Sequence, residues 1–74
     1  MKVIITSCEQ LNIILQSMIK PGIEVISIGD KIDSSNIDEV LVLISHYNPA
    51  TLMQIRASLA DKVTKDCLIK LVII

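Results

Sequence analysis

The sequence predicts a small α/β fold (α+β in its preferred form), one four-stranded sheet with two helices in the order βαββαβ, within a single domain spanning residues 1–74. Three features predict it. Uninterrupted aliphatic runs of strand length stand at residues 3–5, 40–44 and 71–74. Two longer stretches repeat their apolar residues at helical spacing. Pro21-Gly22, Gly29 and Asn48-Pro49 sit at the joints, where turn chemistry belongs.

Val3-Ile4-Ile5 is the first strand. Ser7 then opens a helix, with Gln10 three residues on completing a capping box. Leu11, Ile14, Leu15 and Met18 share one face of it, and Glu9, Asn12, Gln16 and Lys20 the other. Pro21-Gly22 stops that helix. Residues 23–28 form the second strand, and residues 29–36 are polar turn material. Residues 40–44 form the third strand. Asn48 caps a second helix running from Pro49 to about Val63, with proline at its favoured first position. Residues 67–74 form the last strand.

Two topologies satisfy this order. In a ferredoxin-like arrangement, strands two and three make a hairpin and the antiparallel sheet runs 4-1-3-2. In a small parallel Rossmann- or flavodoxin-like arrangement, the same connection crosses the sheet and the order is 2-1-3-4. A crossover normally takes a dozen or more residues and a helix, whereas this connection has about nine and at most one helical turn. The ferredoxin-like form is therefore preferred. Against it, the continuous apolar runs at 40–44 and 71–74 are the habit of strands buried on both faces, as in parallel sheets.

Composition bounds the function. The 74 residues are 51% apolar and 20% charged, with one aromatic side chain. A chain this short buries only roughly 60–65% of its unfolded surface, so the aliphatic excess predicts a partner surface, most simply a second copy. The net charge is −1 and no basic cluster occurs, which argues against direct nucleic-acid binding. No apolar stretch nears the roughly 18 residues of a membrane helix, and the N-terminus carries no secretory signal. Two cysteines are too few for a disulfide scaffold. A soluble, cytoplasmic protein is expected, with no membrane association, cofactor or metal.

The candidate ligand-binding residues are Cys8, Asp30, His46, Tyr47 and Asn48. Cys8, at a helix start, would feel the dipole and free amides that favour thiolate, but its register with Leu11 and Leu15 makes packing the preferred reading. His46 and Tyr47 are the only residues of their types and stand in a strand-to-helix turn, where small α/β folds place chemistry. No orienting partner or metal spacing accompanies His46, so a loop role is preferred. Asn48 opens a helix whose free amides can meet an anion, a generic property. Asp30, Asp33, Asp38 and Glu39 form an acidic turn without the glycine and glutamate of an EF-hand. It reads as a solvated hairpin tip. Arg56, the only arginine, falls inside the apolar arc of the second helix, and with Met53, Ala57 and Ala60 it is assigned to an interface.

Strand direction decides which candidates meet. A parallel sheet brings Cys8, Asp30 and His46-Tyr47-Asn48 to one end. The antiparallel sheet separates Cys8 from His46 and instead makes Cys8 and Cys67 neighbours. No complete catalytic set is present in either case. The preferred function is therefore a non-enzymatic interaction or regulatory module, acting as a homo-oligomer through an aliphatic sheet or helix face. The alternative is a small-ligand or phosphate-binding domain, Cys- or His-dependent, that uses the strand-end loops.

Overall fold

A computed structural model describes residues 1–18 and 20–74. The elements follow the order βαββαβ: β1 Lys2–Thr6, α1 Glu9–Met18, β2 Ile23–Ser27, β3 Ile37–Ile44, α2 Pro49–Leu59 and β4 Val63–Ile73. The four strands form one sheet in the order β2-β1-β3-β4. Every neighbouring pair is parallel.

The ferredoxin-like expectation is thereby corrected, and the parallel order weighed against it is the one observed. The error lay in the connection between β2 and β3. Residues 28–36 cross the sheet without a helix, as an extended strap. Nine residues lie between Ser27 and Ile37, and at ~3.3 Å each they reach about 30 Å. Ser27 is level with Leu43 through Thr6, so the return to Ile37 takes roughly 20 Å along the strand and about 10 Å sideways, a straight span of about 22 Å before the strap rises over β1. The crossing is thus feasible with little to spare. Ile32 pins the strap into the core at 2% exposure, and the Lys62 ammonium donates to the Ile32 carbonyl. An isolated isoleucine among polar residues was the legible sign, since a solvated hairpin tip has no use for one. Gly29 (φ 94°) and Asn36 (φ 55°) take the left-handed turns at its two ends.

The register fixes the two faces of the sheet. Val3, Ile5, Ile26, Val40, Val42, Ile69 and Leu71 share one face, because Val3 pairs Val40, Ile5 pairs Ile26 and Val42, and Ile69 and Leu71 pair Val40 and Val42. There Ile55 and Leu59 of α2 close a core with Val3, Ile5, Ile32, Ile37, Val40, Val42 and Ile44. The other face carries Ile4, Thr6, Val25, Ser27, Leu41, Leu43, Leu68 and Val72. Here α1 is tied to β2 by Asn12 Nδ2 donating to Ser27 Oγ (2.9 Å). Its burial is uneven: Ile4, Thr6 and Val25 are buried, Leu41 and Leu43 are half-buried, and Leu68 is 69% exposed. One helix covers only the β2–β1 half of this face.

Local details depart from the expected boundaries. α1 begins at Glu9, and Cys8 takes the capping position, its carbonyl accepting from Asn12 N–H at 3.0 Å. Ser7 therefore builds no capping box. Its hydroxyl accepts from the Ser45 amide instead, and the Cys8 amide donates to Thr6 Oγ1 at 3.1 Å. Asn48 does cap α2, its Oδ1 accepting from Ala50 N–H at 2.9 Å, with Pro49 directly after. α2 ends at Leu59 rather than near Val63, and β4 starts at Val63 rather than Cys67. The turn between them is held by Lys62 N–H to Leu59 C=O (3.0 Å). It contains neither glycine nor proline to announce it, while Val63 and Thr64 are β-branched and prefer the strand. Among the described residues no helix is long and apolar enough to cross a membrane.

Candidate functional site

Parallel pairing brings three strand ends to one rim. β1 delivers Ser7 and Cys8, β2 delivers Gly29 and Asp30, and β3 delivers His46, Tyr47 and Asn48. Ser7 N–H donates to Leu43 C=O (3.1 Å) and Ser45 N–H to Ser7 Oγ (3.4 Å), which ties the ends of β1 and β3 together. Asp30 N–H closes a turn on Ser27 C=O at 3.1 Å. The hydrogen bonds that knit this rim run through Thr6, Ser7, Ser27 and Ser45. Asp30, His46, Tyr47 and Asn48 are exposed and Cys8 is half-buried.

The rim offers little enclosed space. A cavity beside Asp30, between Gly29 and Gln54, measures about 10 Å³, the room of a single water at most. A shallow groove of about 210 Å³ lies among Tyr47, Pro49, Leu52, Met53 and Arg56. Among the described residues no group of three His, Cys, Asp or Glu side chains is placed to hold a metal.

Cys8 follows β1, whereas Cys67 lies near the start of β4, so the parallel sheet sets the two thiols at opposite ends. Both are free. The expectation that an antiparallel sheet would make them neighbours falls with that topology. Around Cys67 the sheet is irregular. Ile37 pairs Val63 and Glu39 pairs Leu68, so residues 64–67 bulge out opposite Asp38 alone. Asp38 Oδ1 accepts from the N-terminal ammonium of Met1 at 3.0 Å. That hydrogen bond and the charge behind it hold the carboxyl below the usual aspartate range. Burial pushes the Cys67 thiol up, and the Asp38 charge adds to it. Glu39 pairs with Lys2 at 3.2 Å. The acidic stretch is thus no hairpin tip, since two of its carboxylates anchor the N-terminus.

Met53, Arg56, Ala57 and Ala60 lie on the exposed outer side of α2, with Met53 72% exposed. Met53 is the only large aliphatic among them. Arg56 also borders a groove of about 180 Å³ between α2 and β4, with Leu52, Ile69 and Leu71.

The largest aliphatic exposure is on β4. Leu68, Ile69, Leu71, Val72, Ile73 and Ile74 are all exposed, Ile69 at 51% and Ile73 at 56%. They project from both faces of an edge strand, interrupted by Lys70 alone. The run at 71–74 has the composition of a doubly buried strand, and its place at the sheet edge leaves that burial unmet. The chain matches no protein-family model, no curated protein and no solved structure.

Proposed function

We propose that this protein is a non-enzymatic interaction module of the cytoplasm that acts as a homo-oligomer through the aliphatic sheet surface of β4 and the adjoining bare half of the β3–β4 face. The observation that carries this reading is the exposure of six aliphatic side chains on residues 68–74. Half-burial of such a side chain is worth about 1 kcal/mol. Summed over two copies, that reaches the ~4–15 kcal/mol that association costs. The sheet is preferred over the helices because the outer side of α2 offers only Met53 as a large aliphatic group and α1 exposes three, Ile13, Ile14 and Met18, against six on residues 68–74. Two free cysteines set at opposite ends of the sheet suit a reducing compartment. The regulatory role would consist in presenting or hiding surfaces on assembly.

Sedimentation equilibrium across a wide concentration range tests this. The wild-type chain is expected as a dimer or larger at micromolar concentration, and Leu68→Glu combined with Ile69→Glu as a folded monomer. A wild-type monomer up to millimolar concentration would overturn the reading.

A second reading, small-ligand or phosphate binding at the rim, is favoured by the convergence of Cys8, Asp30 and His46-Tyr47-Asn48. The cavity enclosed beside Asp30 holds one water at most, and the groove of about 500 Å³ that Asp30 also borders along β2 is open to solvent, so neither encloses a ligand. Amide shifts at those positions on titration with inorganic phosphate would support this reading, and their absence would end it.

A further inference from the structure

The two edges of the sheet are finished differently. On β2, Lys2 N–H bonds to Gly22 C=O and Ile28 N–H to Thr6 C=O. Even-numbered residues of β2 therefore turn their peptide groups toward β1, and Ile23, Val25 and Ser27 turn theirs outward. Three of the six groups on that outward edge, one on each residue, are occupied from within the chain. Ile23 N–H donates to Lys20 C=O (3.3 Å), Val25 C=O accepts from Gln16 Nε2 (2.6 Å), and Ser27 C=O accepts from Asp30 N–H (3.1 Å). A strand arriving at β2 would find these groups taken.

On β4, Ile74 N–H bonds to Ile44 C=O at 2.8 Å, and Ile44 pairs Ile73. Even-numbered residues of β4 thus face β3, while Ile69, Leu71 and Ile73 direct their N–H and C=O groups outward. Among the described residues no side chain caps this edge as Gln16 caps β2. It is long and aliphatic, the kind that recruits another strand.

We infer that the outer edge of β4 is a strand-pairing site for β4 of a second copy of this chain, joined antiparallel about a two-fold axis at Leu71 into one eight-stranded sheet. This rests on the homo-oligomer reading and specifies its geometry. Pairing β4 head-to-tail with β2 would displace those three hydrogen bonds, one at each outward residue of β2, whereas the self-complementary β4–β4 contact displaces none. The bulge at residues 64–67 limits the regular edge to residues 68–74. Within it, a two-fold at Lys70 would set two ammonium groups directly opposite, which is unfavourable. A two-fold at Ile69 would draw Cys67 of the bulge into the ladder. Only the register centred on Leu71 uses the whole segment. It pairs Ile69 with Ile73 and Leu71 with itself on the α2 face, where the groove beside Arg56 and Leu52 lies open. On the other face it pairs Leu68 with Ile74 and Lys70 with Val72.

Two measurements on the full chain test this. In the wild type, amide exchange at Ile69, Leu71 and Ile73 should slow roughly tenfold or more as concentration rises through the dimerisation range. Exchange at Lys70 and Val72, bonded to β3, should stay constant. In a Cys8→Ser, Cys67→Ser background, Leu71→Cys should form a covalent dimer on mild oxidation. Opposed residues of a hydrogen-bonded antiparallel pair lie about 5.5 Å apart at Cα, within disulfide reach. Ile73→Cys alone should not cross-link. A dimer by sedimentation, without concentration-dependent protection at Leu71 and without its cross-link, would overturn the edge pairing and leave the homo-oligomer intact. A monomer throughout would overturn both.

Discussion

At the scale of single residues, Asp38 joins the N-terminus to the bulge of β4. It accepts from the Met1 ammonium, and its charge reaches the Cys67 thiol across the bulge. Its carboxyl is held low in the folded chain, chiefly by the hydrogen bond from that ammonium. The stability it lends is therefore present above the ordinary aspartate value of about 3.9 and is lost as pH falls through the lowered folded value. In acid-to-neutral denaturation series, Asp38→Asn should be less stable than wild type at pH 7, and the two curves should merge at low pH. Curves separated equally at all pH values would show that the carboxylate charge plays no part. The same variant bears on Cys67. In a Cys8→Ser background, alkylation of Cys67 should speed up a few-fold in Asp38→Asn, yet stay slower than in the denatured chain. Burial, the larger cause of its raised value, remains. An unchanged rate would disconnect the two groups.

Among the elements, the strap of residues 28–36 decides the topology. Ile32→Ala should destabilise by about 2–4 kcal/mol, as removal of a buried aliphatic group does. A true hairpin tip would register only ~0.5 kcal/mol. Ile32→Val, at about 0.5–1.5 kcal/mol, keeps the test readable if the larger truncation unfolds this small chain; urea midpoints measure both. The contrast also shows where the sequence was readable. Asn48-Pro49 announced α2 by local capping chemistry, and every helix and strand could be found from period and composition. Strand direction was not local. It depended on whether an extended nine-residue segment could span a sheet, and on one isoleucine within it. The early end of α2 was nearly as silent, because no breaker stands between Leu59 and Val63 and the β-branched Val63-Thr64 pair is a weak signal beside the pairing of Val63 with Ile37.

For the molecule as a whole, the aliphatic excess pointed to a partner surface, but not to its address. The rim residues Cys8, Asp30, His46, Tyr47 and Asn48 converge as a parallel sheet requires, while the largest bare surface lies on β4, where burial depends on edge position rather than composition. Arg56 borders the α2–β4 groove, and in the paired sheet it would stand at the rim of the interface. Arg56→Glu should accordingly weaken the dimer only several-fold and in a salt-dependent way, as rim charges do. Sedimentation at low and high salt measures this; complete loss of the dimer with the fold intact would move the interface centre to α2. The strap carries a last consequence, for how this chain tolerates changes of length. Surface loops usually accept shortening as readily as lengthening. Here, losing three of the nine residues between Ser27 and Ile37 would leave roughly 20 Å of reach, too little for the return path. The shortest remaining link is a hairpin, which reverses β3 and everything after it. Insertions that keep Ile32 seated in the core should leave the strand order intact by amide NOEs, whereas a three-residue deletion should reverse the β1–β3 pairing.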